Sequence, residues 1–228
     1  NPGMLHSVTN YEVYKGLYSS LVDKNYFEIA YALNRQFVDG GIYAGLPLYN
    51  FADNHDVDRV ASKLNDSALL PLLYLLLFTM PGVPSIYYGS EWGITGTRTP
   101  FSDAPVRSAL NLAGLLQHPP HPHLAEDIAR WAQLRRSLPA LRYGNYAQMH
   151  VAAQQFAFSR ATDDETIVVT LNAAVEDIPL VLQVPAHFNR AVELLNGGED
   201  FNIHDGSLTI EAVPARWGRV LRLGTAPG

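Results

Sequence analysis

Cysteine is absent from the 228 residues, which excludes disulfides and thiolate metal sites and fits a reducing, cytoplasmic compartment, though a secreted chain can also lack it. Basic residues are few: Lys and Arg total 16 against 22 Asp and Glu, for a net charge of -6. With no basic cluster the counterion-release attraction to phosphate backbones has no source, so no nucleic-acid partner is expected. Long apolar runs are also missing. ALLPLLYLLLFTM, from Ala68 to Met80, is interrupted by Pro71 and falls short of the about 20 residues a membrane helix needs, so it reads as a core helix and no membrane partner is expected. The opening NPGMLHSV has no basic segment followed by an apolar one, so no signal peptide is legible. Because Asn1 comes first, the expectation is that Met4 is a start behind tag residues or that the chain is cut from something longer.

What is present is 47% hydrophobic content, ample for a real core. Along residues 10 to 37, Val13, Leu17, Leu21, Phe27, Ala30, Leu33 and Phe37 recur at helical spacing, predicting one long or two short amphipathic helices stopped by Gly40 and Gly41. LYNFA, residues 48 to 52, has strand length. A helix over Val60 to Thr79 is expected next, ended by the PGVP of residues 81 to 84. SIYYG, residues 85 to 89, reads as another buried strand, and residues 124 to 138 as a helix. Strand, helix, strand, helix with near-continuous apolar strands predicts parallel pairing, so the first 140 residues are α/β. After about Tyr143, six β-rich segments separated by turn formers predict an antiparallel sandwich. The expected fold is therefore α/β followed by all-β, with one domain over 1–142 and a second over 143–228.

The densest polar stretch is FADNHDVDR, residues 51 to 59. It follows a strand directly, where parallel α/β folds gather ligand-binding groups. A helix cap competes as an explanation, with Asp56 or Asp58 capping the helix near Val60. A cap needs only one acid, however, and the mixture of Asn, His, Asp and Arg asks for more. HPPHPH, residues 118 to 123, offers three histidines, but the interleaved prolines spread them along an extended loop and no metal site is expected. The pairs Asp163-Asp164 and Glu199-Asp200 sit in turn contexts, and Trp92 and Trp217 are expected to be buried rather than stacked on a ligand.

YNFADNHDVDR resembles the segment that follows the seventh barrel strand in the alpha-amylase family, glycoside hydrolase family 13, with its Phe-x-x-Asn-His-Asp pattern. PGVPSIYYGSEWGITG, residues 81 to 96, is similar to the family's entry into the eighth strand, and SVTNYE, residues 7 to 12, to its sixth strand. IARWAQLRRSLPALRYGNY and the β-rich tail resemble the last barrel helix and the C-terminal sandwich. The resemblance implies a partial TIM (β/α)8 barrel, about strands 6 to 8, plus an antiparallel β-sandwich, in a retaining enzyme acting on α-1,4- or α-1,6-glucosidic bonds. Asp56 would stabilise the oxocarbenium-like transition state and His55 would hold a hydroxyl of the same sugar, with Asn54 and Arg59 supporting them. Tyr87, Tyr88 and Glu91 would serve packing and rim hydrogen bonding. The implied partners are an α-glucan or maltooligosaccharide and either the remainder of the barrel or a second copy of the chain; no cofactor and no metal are expected.

Departures from the family pattern matter. His6 stands where the family often has Asp, and the segment TRTPFSDAPVRSALN after Gly96 offers no charged and aromatic substrate loop. Nothing resembles the family's nucleophile or acid segments, whose two carboxyl groups sit about 5 Å apart in retaining enzymes. The isolated chain is therefore expected to be inactive. Two rival readings are a non-catalytic amylase-like binding or scaffold subunit and a sandwich that is itself a carbohydrate-binding module.

Overall fold

A computed structural model describes residues 5–225; Asn1 to Met4, on which the expectation about the chain start rests, lie outside the described residues. The first part holds α1 (Tyr11–Val22), α2 (Phe27–Phe37), β1 (Tyr49–Phe51), α3 (Val60–Lys63), α4 (Leu70–Thr79) and β2 (Val83–Ser85). β1 and β2 pair in parallel, with Tyr49 opposite Val83 and Phe51 opposite Ser85. Thr9 bridges Tyr49 on the other side, also in parallel. Three short segments thus lie abreast, all running the same way.

Buried amides hold this arrangement. Asn10 caps α1 by accepting the Val13 N–H at 3.1 Å, and its Nδ2 donates to Gln36 at 2.8 Å and to Asn50 at 3.0 Å. Asn50 in turn donates to the Pro81 carbonyl at 2.7 Å. One connected network therefore fixes α1, α2, β1 and the entry to β2, and every member has a partner, as burial demands.

The continuous helix expected over Val60 to Thr79 is broken. α3 ends at Lys63, Leu64 is extended, and Asp66 caps a short turn over Ser67–Leu69 by accepting the Ala68 N–H. Pro71 then lies in the first turn of α4, where its missing N–H costs nothing, whereas deeper in a helix it would remove a bond. Every residue of α4 is buried; a helix apolar all round belongs at the centre of a fold. The strand expected over residues 85 to 89 is also shifted. β2 is only Val83–Ser85, Tyr88 is exposed, and Gly89 turns the chain with φ +89.

α5 (Leu112–Gln117), α6 (Leu124–Ser137) and α7 (Pro139–Tyr143) lead into eight antiparallel strands: β3 (Asn145–Val151), β4 (Gln155–Ala161), β5 (Thr166–Asn172), β6 (Ile178–Gln183), β7 (Arg190–Glu193), β8 (Asp200–His204), β9 (Ser207–Val213) and β10 (Trp217–Gly224). They form a single sheet in the order β3-β4-β5-β10-β7-β8-β9-β6, and its two end strands meet, which makes it nearly closed and barrel-like. The sequence pattern had led to six segments in two sheets. β3 and β8 escape that pattern because polar residues such as Gln148, His150 and Asn202 alternate along them.

β4, β5 and β10 are covered on both faces. Ala157, Val168 and Leu221 point into the interior of the sheet with Leu182, Ile210 and Phe201. Phe156, Phe158, Ile167, Val169 and Val220 point the other way and join one core with α4, α6 and α1. That double burial explains why β5 reads as an unbroken apolar run.

Candidate functional site

The chain leaves β1 into the polar stretch, and its first acid turns inward. Asp53 is buried, accepts the Val60 N–H at 2.9 Å and accepts the Ser90 hydroxyl at 2.8 Å. It is Asp53, then, that satisfies the start of α3, not Asp56 or Asp58 as the sequence suggested. The loop folds back so that position 53 lies beneath the helix start, while 56 and 58 face outward. Burial raises the Asp53 carboxyl above its ordinary range, outweighing the Val60 and Ser90 hydrogen bonds and the charge of Arg59.

Arg59 is fully buried. Its Nη1 donates to the Tyr88 carbonyl at 2.6 Å and to Ser90 Oγ at 3.2 Å, and its guanidinium lies 4.1 Å from the centre of the Tyr87 ring and 5.0 Å from that of Tyr88. Its backbone N–H donates to Gly96 at 2.9 Å. Arg59 thus clamps three stretches of chain together from below: the polar stretch, the Tyr87-Tyr88 pair and the loop at Gly96.

Asn54, His55 and Asp56 sit at the surface above this clamp. Asn54 accepts the Asp56 N–H at 2.8 Å, a turn that Asn favours by bonding its own backbone two residues on. The Asp56 carboxylate is half exposed, with His55 Nε2 at 3.2 Å from one oxygen and Arg107 Nη2 at 3.2 Å from the other. A pocket of ≈ 280 Å³ opens here at the carboxyl ends of β1 and β2, lined by Asn54, His55 and Asp56 together with the rings of Tyr11, Tyr49 and Tyr87. Three of the four residues singled out from sequence therefore meet at one opening, and Arg59 supports them from beneath.

The segment after Gly96, in which no charged and aromatic substrate loop was expected, packs two arginines against the polar stretch. Arg98 Nη1 donates to the Asp56 carbonyl at 2.5 Å and its N–H to Asp58 at 2.8 Å. Arg107 Nε donates to the His55 carbonyl at 3.1 Å, and Asp103 joins the two arginines at 2.7 and 3.2 Å. Phe101 projects from the same loop, 95% exposed. The spacing of Arg98, Asp103 and Arg107 was the available signal, but only the folded loop brings these residues onto the motif. Arg107 therefore pairs with the Asp56 carboxylate, while Arg98 holds the backbone carbonyl of the same residue. Among the described residues no group of three His, Asp or Glu side chains is arranged to hold a metal ion, and no helix is long and apolar enough to cross a membrane.

Comparison with known proteins places the sequence and the fold among relatives. The family model for the alpha-amylase catalytic domain matches residues 31–157. A cyclomaltodextrin glucanotransferase of Thermoanaerobacterium thermosulfurigenes is 30% identical over 170 residues, 71% of this chain and 22% of that protein. Neopullulanase 2 of Thermoactinomyces vulgaris is 28% identical over 170 residues, 73% of this chain and 28% of its own length. Among solved structures, an Anoxybacillus alpha-amylase superposes with a TM-score of 0.81 at 22% identity, over 97% of this chain and 48% of that one. The chain thus spans less than a third of these curated relatives and about half of the solved amylase.

Proposed function

Since this chain belongs to the alpha-amylase family, we propose that it works on α-glucans by gripping the sugar ring at the bond to be broken. Asp56 is the group that stabilises the oxocarbenium-like transition state, and His55 donates to a hydroxyl of the same ring. Asn54 shapes the turn that presents them, and Arg59 keeps that turn rigid. Residues up to 142 act as part of an amylase-type (β/α)8 barrel, with Thr9, β1 and β2 in the places of strands six, seven and eight, and the barrel-like β-rich remainder acts as the companion domain. The observation that carries this reading is the half-exposed Asp56 carboxylate at the rim of a pocket beyond the carboxyl ends of parallel strands, where catalytic groups of barrels collect.

No segment of this sequence resembles the family's nucleophile or general-acid segments, so by this proposal cleavage needs carboxylates from outside these 228 residues. The remaining barrel or a second copy of the chain is the partner that covers the open edges of the β1–β2 pair. The experiment is titration of maltotriose into the purified chain by NMR, alongside a reducing-sugar assay. Shifts confined to residues around the Asp56 pocket, lost in His55→Ala, with no release of reducing ends, are expected. Shifts elsewhere, or unchanged binding in His55→Ala, would overturn the site assignment, and turnover by the wild-type chain would overturn the need for outside carboxylates.

A further inference from the structure

A larger pocket of ≈ 510 Å³ opens at the amino ends of β1 and β2, across the parallel strands from Asp56. Three guanidiniums line it: Arg135 of α6, Arg142 of α7 and Arg160 of β4. Among the described residues that line it, none is acidic. This stands out in a chain whose net charge is -6.

Arg135 and Arg160 are both buried, and their partners are neutral carbonyls. Arg135 Nη1 donates to Phe78 at 2.8 Å and Met80 at 3.1 Å. Arg160 Nη1 donates to Thr79 at 2.9 Å and Leu141 at 3.0 Å, and its Nη2 to Gly144 at 2.9 Å. Several of these carbonyls end α4, and a helix carboxyl end supplies only about half a negative charge. Two full positive charges, with Arg142 as a third at the rim, therefore face at most a fraction of one negative charge. Burial pulls both buried guanidiniums below their ordinary range, Arg135 further by the charge of Arg142 and Arg160 further by that of Arg135. Tying down carbonyls accounts for the donors, but it leaves the charge unbalanced.

An independent observation lies in the same wall. Tyr146 lines the pocket and is 4% exposed, and its hydroxyl has no hydrogen-bond partner among the described residues. Buried hydroxyls rarely go unpaired, so an acceptor is wanted at the place where negative charge is also wanted. We propose that this pocket binds the oxyanion group, phosphate or carboxylate, of a small molecule, with Arg142, Arg135 and Arg160 supplying the charge and Tyr146 a further donor. The apolar wall of Leu46, Pro47 and Pro84 faces the organic body of that ligand. The site stands independently of the glucan reading.

The test is thermal unfolding and calorimetric titration of the chain with sodium phosphate and, separately, sodium acetate, with ionic strength held constant by sodium chloride. A saturable rise in Tm with either probe is expected, and the probe that binds more tightly identifies the group. Arg142→Gln, at an exposed position, should fold like wild type and bind about tenfold more weakly. Tyr146→Phe removes only an unpartnered hydroxyl and should bind about three- to tenfold more weakly. No saturable response beyond that to chloride, or variants that bind as wild type does, would refute the site.

Discussion

Replacing Asp53 by alanine tests whether the site is built from beneath. The carboxylate accepts the Val60 N–H and the Ser90 hydroxyl, and each lost bond costs about 1 kcal/mol net, more when the donor stays buried and unpaired. The fully buried Arg59 would also lose an opposing charge that acts on it, and leaving a buried charge uncompensated costs about 3–5 kcal/mol in other proteins. Because Arg59 keeps its carbonyl bond to Tyr88 and its ring contacts, the lower end of that range applies, so Asp53→Ala should lose about 3 kcal/mol. Asp53→Asn keeps an acceptor of the same shape and, given that burial already disfavours the charged form, should lose less than half as much. Urea unfolding followed by tryptophan fluorescence reads both, since Trp131 is buried and packs 5.9 Å from Trp217 between ring centres. A loss under about 1 kcal/mol for Asp53→Ala, or an asparagine variant as damaged as the alanine one, would show that Asp53 does not hold the two loops together.

The same carboxyl makes stability depend on pH. Its pKa in the folded chain lies above the ordinary 3.8, so above pH 3.8 the folded state holds a proton that the unfolded state has released; the stabilisation is present below that pH and is lost as pH rises through the folded value. The stability of wild type relative to Asp53→Asn should therefore decline as pH is raised from 3.8, and a flat or rising difference would contradict this. Asp56→Asn should change stability by less than about 1 kcal/mol, because the carboxylate is half exposed and its ion pairs are solvated; a large loss in chemical denaturation would make Asp56 a structural residue. Gly82→Ala combines a φ of +102 with a Cβ placed 2.3 Å from Asn50 Nδ2 and 2.7 Å from the Leu48 carbonyl, and should cost more than about 2 kcal/mol. Gly40→Ala, with φ +74 and open space around it, should cost about 1 kcal/mol, and equal losses in calorimetry would mean that the crowding at Gly82 is not felt. Light scattering should find the isolated chain self-associated through its open parallel edges, and a well-behaved, cooperatively melting monomer would remove that expectation.

The Phe-x-x-Asn-His-Asp pattern was legible because it is local: Phe51 to Asp56 carry their chemistry in consecutive positions, and the strand before them announces itself by its apolar run. The two helices of residues 11 to 37 and the helix from Leu124 were legible for the same reason, through spacing on one face. What stayed hidden depends on distant closure. Arg107 reaches His55 and Asp56 across some fifty positions, so no window along the chain contains both partners. Asp53 reads like its neighbours Asp56 and Asp58, and only the direction of the loop tells which acid points inward. Tyr87 and Tyr88 look like strand residues by propensity, yet their rings are turned onto Arg59, a tertiary demand that overrides local preference. The polar alternation of β3 and β8 hid them because neighbouring strands, rather than their own composition, make them strands.

The central helix α4 touches both halves of the molecule, and the outer faces of β4, β5 and β10 share one core with α4, α6, α7, α1 and α2. The compositional seam near Gly144 is therefore a poor place for a protein engineer to cut. Phe156, Ile167, Val169 and Val220 would be laid bare on one piece and Leu72 to Leu77 on the other, and both pieces would be sticky. Exchanging the β-rich half between relatives should succeed only when the leucine helix travels with it, because the unit that can be transplanted is set by the shared surface rather than by the change in secondary structure.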